Sequence, residues 1–178
     1  MEKPTLTKAQ SVFSLSCRVE LNIRARAERV WRLLTDAKGF PSWNSTVSGI
    51  EGQIREGQRL RLHVPGIDRT FTPTVSGMVA NERMTWTGGF APMFKGVRTF
   101  ELKSRNDGST DSAMEERFSG LMLPLVKSSL PDIDGAFATY ASDLNALRKQ
   151  QARIGGEPAL TTLVDEFVAK AVDLRLPL

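Results

Sequence analysis

The sequence predicts an α+β domain in which a long helix packs on an antiparallel sheet. Three observations predict it: strict alternation of apolar and polar residues from Leu15 to Ile23, a run of short strand-like segments with turn signals from Val47 to Gly120, and a switch to helical spacing after Pro131.

Leu15, Cys17, Val19, Leu21 and Ile23 alternate with Ser16, Arg18, Glu20 and Asn22, the pattern of a half-buried strand. Ala27, Val30, Leu33 and Leu34 then take helical spacing, with Arg29 and Arg32 on the water side. Lys38-Gly39 ends that helix. Pro41 disfavours helical angles at Phe40, so residues 40–44 are expected as a structured break carrying two aromatics.

Further on, Leu60, Leu62 and Val64 alternate with Arg59, Arg61 and His63; Phe71, Pro73 and Val75 alternate with threonines; Met84 and Trp86 alternate with Arg83, Thr85 and Thr87. Glu56-Gly57, Pro65-Gly66 and Asn81-Glu82 supply tight turns. Short adjacent strands of this kind favour an antiparallel meander, and Pro73, lacking a ladder donor, puts its strand at an edge or a bulge. The segment Gly88–Phe94 reads as an apolar loop, either a lid over a cavity mouth or a loop tucked into the core.

The clearest hairpin closes through Asn106-Asp107-Gly108, with Gly at the left-handed position. Pairing Arg105 with Ser109 sets Leu102 opposite Ser112, Phe100 opposite Met114 and Arg98 opposite Glu116. Phe100, Met114 and Phe118 share a face, which is therefore the inner one, and Arg98 and Glu116 lie on it as well. Beyond Pro131, Ile133, Phe137, Tyr140, Leu144 and Leu147 form one apolar helical stripe. Gly155-Gly156 and Pro158 break the pattern, and Leu160, Leu163, Val164, Phe167, Val168 and Ala171 line one side of an expected amphipathic helix over about 159–174. That helix docks on its own domain or forms a homodimer. The chain thus divides into an N-terminal extension (1–13), one domain (14–153), and a linker with the C-terminal helix (154–178).

Composition narrows the function. One cysteine excludes a disulfide scaffold; one histidine, with no clustered carboxylates, argues against a metal centre, and no cofactor is expected. His63 falls on the outer face of its strand, which removes the base a Ser-His-Asp triad needs, and neither Gly-Gly pair opens a helix in phosphate-loop spacing. The formal charge of +4 is mild. The cluster Arg24, Arg26, Arg29 and Arg32 reads as a solvated face; no nucleic-acid motif accompanies it, so no nucleic-acid partner is expected. No segment reaches the roughly 18 apolar residues of a membrane span and no signal-peptide pattern opens the chain, so a cytoplasmic protein without integral membrane association is expected.

The stretch Val30-Trp31 … Leu34-Thr35-Asp36 … Phe40-Pro41-Ser42-Trp43-Asn44 resembles the "V-W-x-x-L-T-D … F-P-x-W-N" signature of the SRPBCC superfamily, the START-like and Bet v 1-like proteins that include polyketide cyclase/dehydrase-type members. Gly96–Phe100 and Glu116–Met122 resemble its "G-x-x-x-F" and "E-x-F-x-G" strands. Two positions depart from it: Ser45 and Arg98 stand where many relatives carry Pro and His. The resemblance implies a helix-grip fold, a curved sheet wrapped around the long helix with an internal cavity, over roughly residues 14–153.

The candidate lining of that cavity is Trp43, Leu62, Phe71, Trp86 and Phe90 with Phe100, Met114, Phe118, Phe137 and Tyr140, although large aromatics in a small domain also serve as plain core. Arg98, Glu116 and Tyr140 are the candidate chemical groups. Arg98 would receive a carboxylate, phenolate or enolate while Glu116 fixes it or exchanges a proton; the alternative is a self-compensating ion pair and a core tyrosine. The expected function is enclosure of a small, largely apolar molecule of aromatic, lipid, isoprenoid or polyketide type. A cyclase or dehydratase using the same cavity, and a protein or membrane-surface interaction module, are the alternatives.

Overall fold

The structure, a computed structural model, describes residues 4–126, 135–140, 142–144 and 146. Nine strands and three short helices follow in chain order: β1 (Thr5–Gln10), β2 (Ser14–Ile23), α1 (Ala27–Thr35), α2 (Phe40–Trp43), β3 (Gly49–Glu51), β4 (Arg61–Val64), β5 (Ile67–Phe71), β6 (Thr74–Val79), β7 (Arg83–Phe90), β8 (Phe94–Ser104), β9 (Thr110–Ser119) and α3 (Leu123–Val126). Residues 135–140, 142–144 and 146 are helical. The expected helix at 159–174, with the interaction surface assigned to it, lies outside the described residues, as do Ile133 and Leu147.

A curved six-stranded antiparallel sheet in the order β1-β2-β9-β8-β7-β6 forms the wall, and β3-β4-β5 form a second, three-stranded sheet. The two are stitched together where residues 57–60 run beside 73–75: Leu60 N donates to Pro73 O at 2.8 Å and Val75 N to Gln58 O at 2.9 Å. The fold class read from the sequence is the observed one, α+β with helix on a curved antiparallel sheet.

Strand β2 buries Leu15, Cys17, Val19, Leu21 and Ile23 and turns its polar residues outward, as alternation requires. On the outer face Arg18 spans three strands, bonding Glu20 at 2.7 Å and Glu101 at 2.8 Å and lying 3.6 Å from Glu115. Helix α1 buries Ala27, Val30, Trp31 and Leu34. Its start is tied to the sheet by Thr110, whose hydroxyl donates to Ala25 O at 2.7 Å.

Three local expectations change. Residues 40–43 form a helical turn rather than a non-helical break: Asn44 N donates to Phe40 O at 3.1 Å, and Pro41 sits in the first turn, where no N–H is needed. The burial of Phe40 and Trp43 on one side outweighs the bias proline places on its predecessor. Second, Phe71–Val75 is not one strand; β5 ends at Phe71, β6 starts at Thr74, and Pro73 marks the crossing between sheets. Third, Gly88–Phe94 is not an open loop. It is the end of a hairpin, with Phe90 paired to Phe94 across a turn whose Ala91–Pro92 peptide is cis. Residues 5–10 also add a fully exposed edge strand that has no amphipathic signature to announce it.

The β7–β8 turn, the β1–β2 turn and the start of α3 meet at one end of the sheet. Gly120 N donates to Phe13 O at 3.1 Å, Leu121 N to Pro92 O and Met122 N to Met93 O, both at 3.0 Å. Gly120 holds this junction at φ +134°, and a Cβ there would be driven into the carbonyl of Met93. Gly57 also has positive φ but has open space around it. Urea unfolding should therefore separate the two: Gly120→Ala is expected to cost about 3 kcal/mol or more, and Gly57→Ala about 1 kcal/mol. Equal costs would mean that the junction relaxes freely.

Candidate functional site

The inner face of the sheet is set by the β8–β9 turn. Gly108 adopts φ +78°, Arg105 N donates to Ser109 O at 2.9 Å, and Asp107 accepts from both the amide (3.0 Å) and the hydroxyl (2.6 Å) of Ser109. The ladder that follows pairs Leu102 with Ser112, Phe100 with Met114 and Arg98 with Glu116.

Carried through the neighbouring strands, this register makes transverse rows across the concave face. One row reads Cys17, Glu116, Arg98, Trp86, Val75. Beside it run Val19, Met114, Phe100, Met84 on one flank and Leu15, Phe118, Gly96, Gly88 on the other. The central row is the polar one in an apolar surface. Arg98 Nε donates to Glu116 Oε2 at 3.0 Å and Nη2 donates to the same oxygen. Their side chains retain 23% and 16% of their exposure, so the pair is largely but not wholly withdrawn from water.

An aromatic chain crosses above this row. Phe100 meets Trp86 at 5.0 Å between ring centroids, Trp86 meets Phe40 at 5.8 Å, Phe40 meets Trp43 at 4.7 Å, and Trp43 meets Tyr140 at 5.9 Å. Tyr140 thereby joins the helical residues to the sheet, and Phe137, one turn earlier, is buried as well. Burial pushes the Tyr140 phenol well above its ordinary value, with the charge of Arg98 opposing that shift only in part. The Tyr140 hydroxyl and the indole N–H groups of Trp43 and Trp86 are buried without a hydrogen-bond partner among the described residues. An unmade buried donor costs about 1–3 kcal/mol, so three in one aromatic chain are unusual for a purely structural core.

Other candidates are placed differently, Leu62 and Phe71 extending the same core from the second sheet. Leu62 and Phe71 face each other on the three-stranded sheet, and the Arg69 guanidinium sits 4.9 Å over the Phe71 ring. Phe118 stacks on Phe94 at 5.8 Å and lies over Gly96. Phe90 is 67% exposed at the hairpin tip, so it is not part of the inner lining in this structure. With Val12, Phe13, Leu121 and Leu125 it forms an exposed apolar end of the molecule. His63 lies on the outer side, 2.9 Å from Glu51. A wide groove of about 690 Å³ opens on the convex face, but Arg18, Glu20, Glu101, Arg105 and Asp111 along it pair with one another, the signature of a solvated surface.

Residues 14–151 match the family described as polyketide cyclase/dehydrase and lipid transport. The chain belongs to that family. No curated protein matches the sequence significantly. Among solved structures it is similar to a START superfamily protein from Mycobacterium smegmatis (17% identity, 76% of this chain and 97% of that one, TM-score 0.55). It is similar also to protein Ms6760 from Mycobacterium smegmatis (12%, 80% and 96%, TM-score 0.60) and to CalU16 from Micromonospora echinospora (15%, 85% and 94%, TM-score 0.54). At these identities the structural likeness establishes the fold, and the family places that fold among hydrophobic ligand binders.

Two residues absent from the sequence-based candidates complete the arrangement. Phe40 is fully buried and bridges Trp43 to Trp86. Ser45 donates both its amide (2.8 Å) and its hydroxyl (2.7 Å) to Asp143 Oδ2, locking the α2 turn to the helical residues that carry Tyr140. The proline many family members carry there has neither donor. The departure at Ser45 was the available signal, and its partner lies 98 residues away.

Two outcomes follow from this geometry. Glu116→Ala should cost about 1–3 kcal/mol in urea unfolding, between the values for exposed and fully buried pairs, while replacing Arg98 and Glu116 together by leucine should cost less than the single change. A double-mutant cycle showing no coupling would make the pair a surface contact. The raised Tyr140 phenol gives stability that is constant below about pH 10; above it only the unfolded chain loses its proton, so stability should fall by about 1.4 kcal/mol per pH unit until the folded value is reached. Tyr140→Phe should abolish that slope. Because Tyr140 is the chain's one tyrosine, phenolate absorbance reads it directly.

Proposed function

We propose that this protein binds a small, largely apolar molecule of aromatic, lipid, isoprenoid or polyketide type between the concave face and the helical residues carrying Phe137 and Tyr140. The observation that carries this reading is the aromatic chain from Phe100 to Tyr140, in which three buried polar groups have no partner among the described residues, with Arg98 opposite Trp86. An apolar lining with a few fixed polar groups is the composition of small-molecule sites.

A cyclase or dehydratase needs a base within reach of its substrate. Tyr140, held protonated by burial, is a donor rather than a base, and Glu116 is engaged by Arg98. The same groups serve recognition directly, which favours binding over turnover.

A ligand of roughly 20 heavy atoms at about −0.3 kcal/mol per atom would bind at tens of micromolar. An environment-sensitive apolar dye titrated into the native chain should therefore brighten in that range, and Met114→Trp, which adds bulk beside Phe100, should weaken its binding severalfold. Dye binding indifferent to that blockage would move the site to the exposed apolar end near Phe90.

A further inference from the structure

We infer that the polar end of the bound molecule is an uncharged carbonyl-type oxygen, as in a ketone, quinone or ester, received by Trp86 and Tyr140 beside Arg98. This rests on the binding reading above and adds the chemical class that the site prefers.

The argument starts from what the buried groups are able to do. The indole N–H groups of Trp43 and Trp86 only donate, and the Tyr140 hydroxyl, a phenol at neutral pH, has a proton to donate as well. Their residues are 8%, 2% and 1% exposed, so bulk water does not reach them readily. Trp86 and Arg98 are directly opposite on adjoining strands with side chains on one face, and the charge of Arg98 is felt at the Tyr140 hydroxyl. Trp43 abuts the Tyr140 ring. The unmet demand of this end is therefore for an acceptor.

Charge separates the possible acceptors. Arg98 is already neutralised: among the described residues Glu116 is its hydrogen-bond partner, through both Nε and Nη2. A carboxylate entering here would have to displace Glu116 or lie beside it as a second buried negative charge, and either course is expensive. A carbonyl oxygen accepts two hydrogen bonds and brings no charge. A hydrocarbon brings no acceptor, and leaves the donors unpaired. A site that hydrogen-bonds a group discriminates strongly against analogues lacking it.

Benzophenone, diphenylmethane and diphenylacetate share a two-ring body and differ in this one respect. In displacement of the apolar dye from the native full chain, benzophenone is expected to bind about tenfold more tightly than either of the others. Tyr140→Phe and Trp86→Phe, each checked for native circular dichroism, should each shrink the ketone-to-hydrocarbon ratio about threefold or more. Equal affinities for ketone and hydrocarbon, or tightest binding by diphenylacetate, would overturn the inference while leaving the binding reading intact. Displacement by none of the three would remove both. A ketone preference that survives both substitutions in folded protein would show that other groups receive the oxygen. If a variant does not fold, the comparison of the three probes on the unaltered chain still decides.

Discussion

The register of the β8–β9 hairpin is the constraint on which the rest depends. A three-residue loop, closed by Arg105 and Ser109 and held by Asp107, fixes which side chains of two ten- and eleven-residue strands point inward. Because side chains alternate, a slip of one residue would exchange Arg98, Phe100, Met114 and Phe118 for Thr99, Glu101, Glu115 and Arg117. Three of those four are charged and are now paired on the outer face with Arg18 or with each other. Turning them inward would bury ions without partners, at several kcal/mol each. The outer network is individually weak, yet it makes the wrong register costly, and the row from Cys17 to Val75 inherits its order from that choice.

The second layer is built onto this row from far along the chain. Helix α1 and the α2 turn deliver Phe40 and Trp43, and the bonds from Ser45 to Asp143 hold the helical residues in place above them. Each large side chain buried here contributes roughly 1.5–3 kcal/mol. That gain outweighs the cost of three polar hydrogens without a partner among the described residues, so the cluster is stable while still presenting donors.

Much of this was legible in the sequence because it is local. Alternation in β2, the helical stripe of α1, the Asn106-Asp107-Gly108 turn and the parity of Phe100 and Met114 are decided within a few residues, so the facing of Arg98 and Glu116 follows from sequence alone. What failed was tertiary. The edge or bulge that Pro73 predicts is met, since β6 is the edge strand of the six-stranded sheet, but a single strand through Phe71 and Val75 is not: the chain changes sheets at Pro73 and runs beside residues 57–60. Gly88–Phe94 reads from the sequence as a lid or as a loop tucked into the core, but hydrogen bonding to β8 extends β7 through Phe90 and leaves that ring in water. The contact of Ser45 with Asp143 joins two surface-prone residues with no periodic pattern, and only the folded chain brings them together.

Arginine at position 98 also bears on how such a site behaves. Many members of the family carry histidine there, and an imidazole changes charge across the physiological range and alternates between donor and acceptor at each ring nitrogen. A guanidinium does neither: its N–H groups donate in a fixed planar fork whatever the pH of the medium. Paired to Glu116 through one edge, it keeps the central row electrically neutral while holding a donor-rich plane opposite Trp86. A histidine in the same place would need no carboxylate when neutral and would leave Glu116 uncompensated on an apolar face. In this chain the two residues therefore act as one unit, each compensating the other's charge on the inner face.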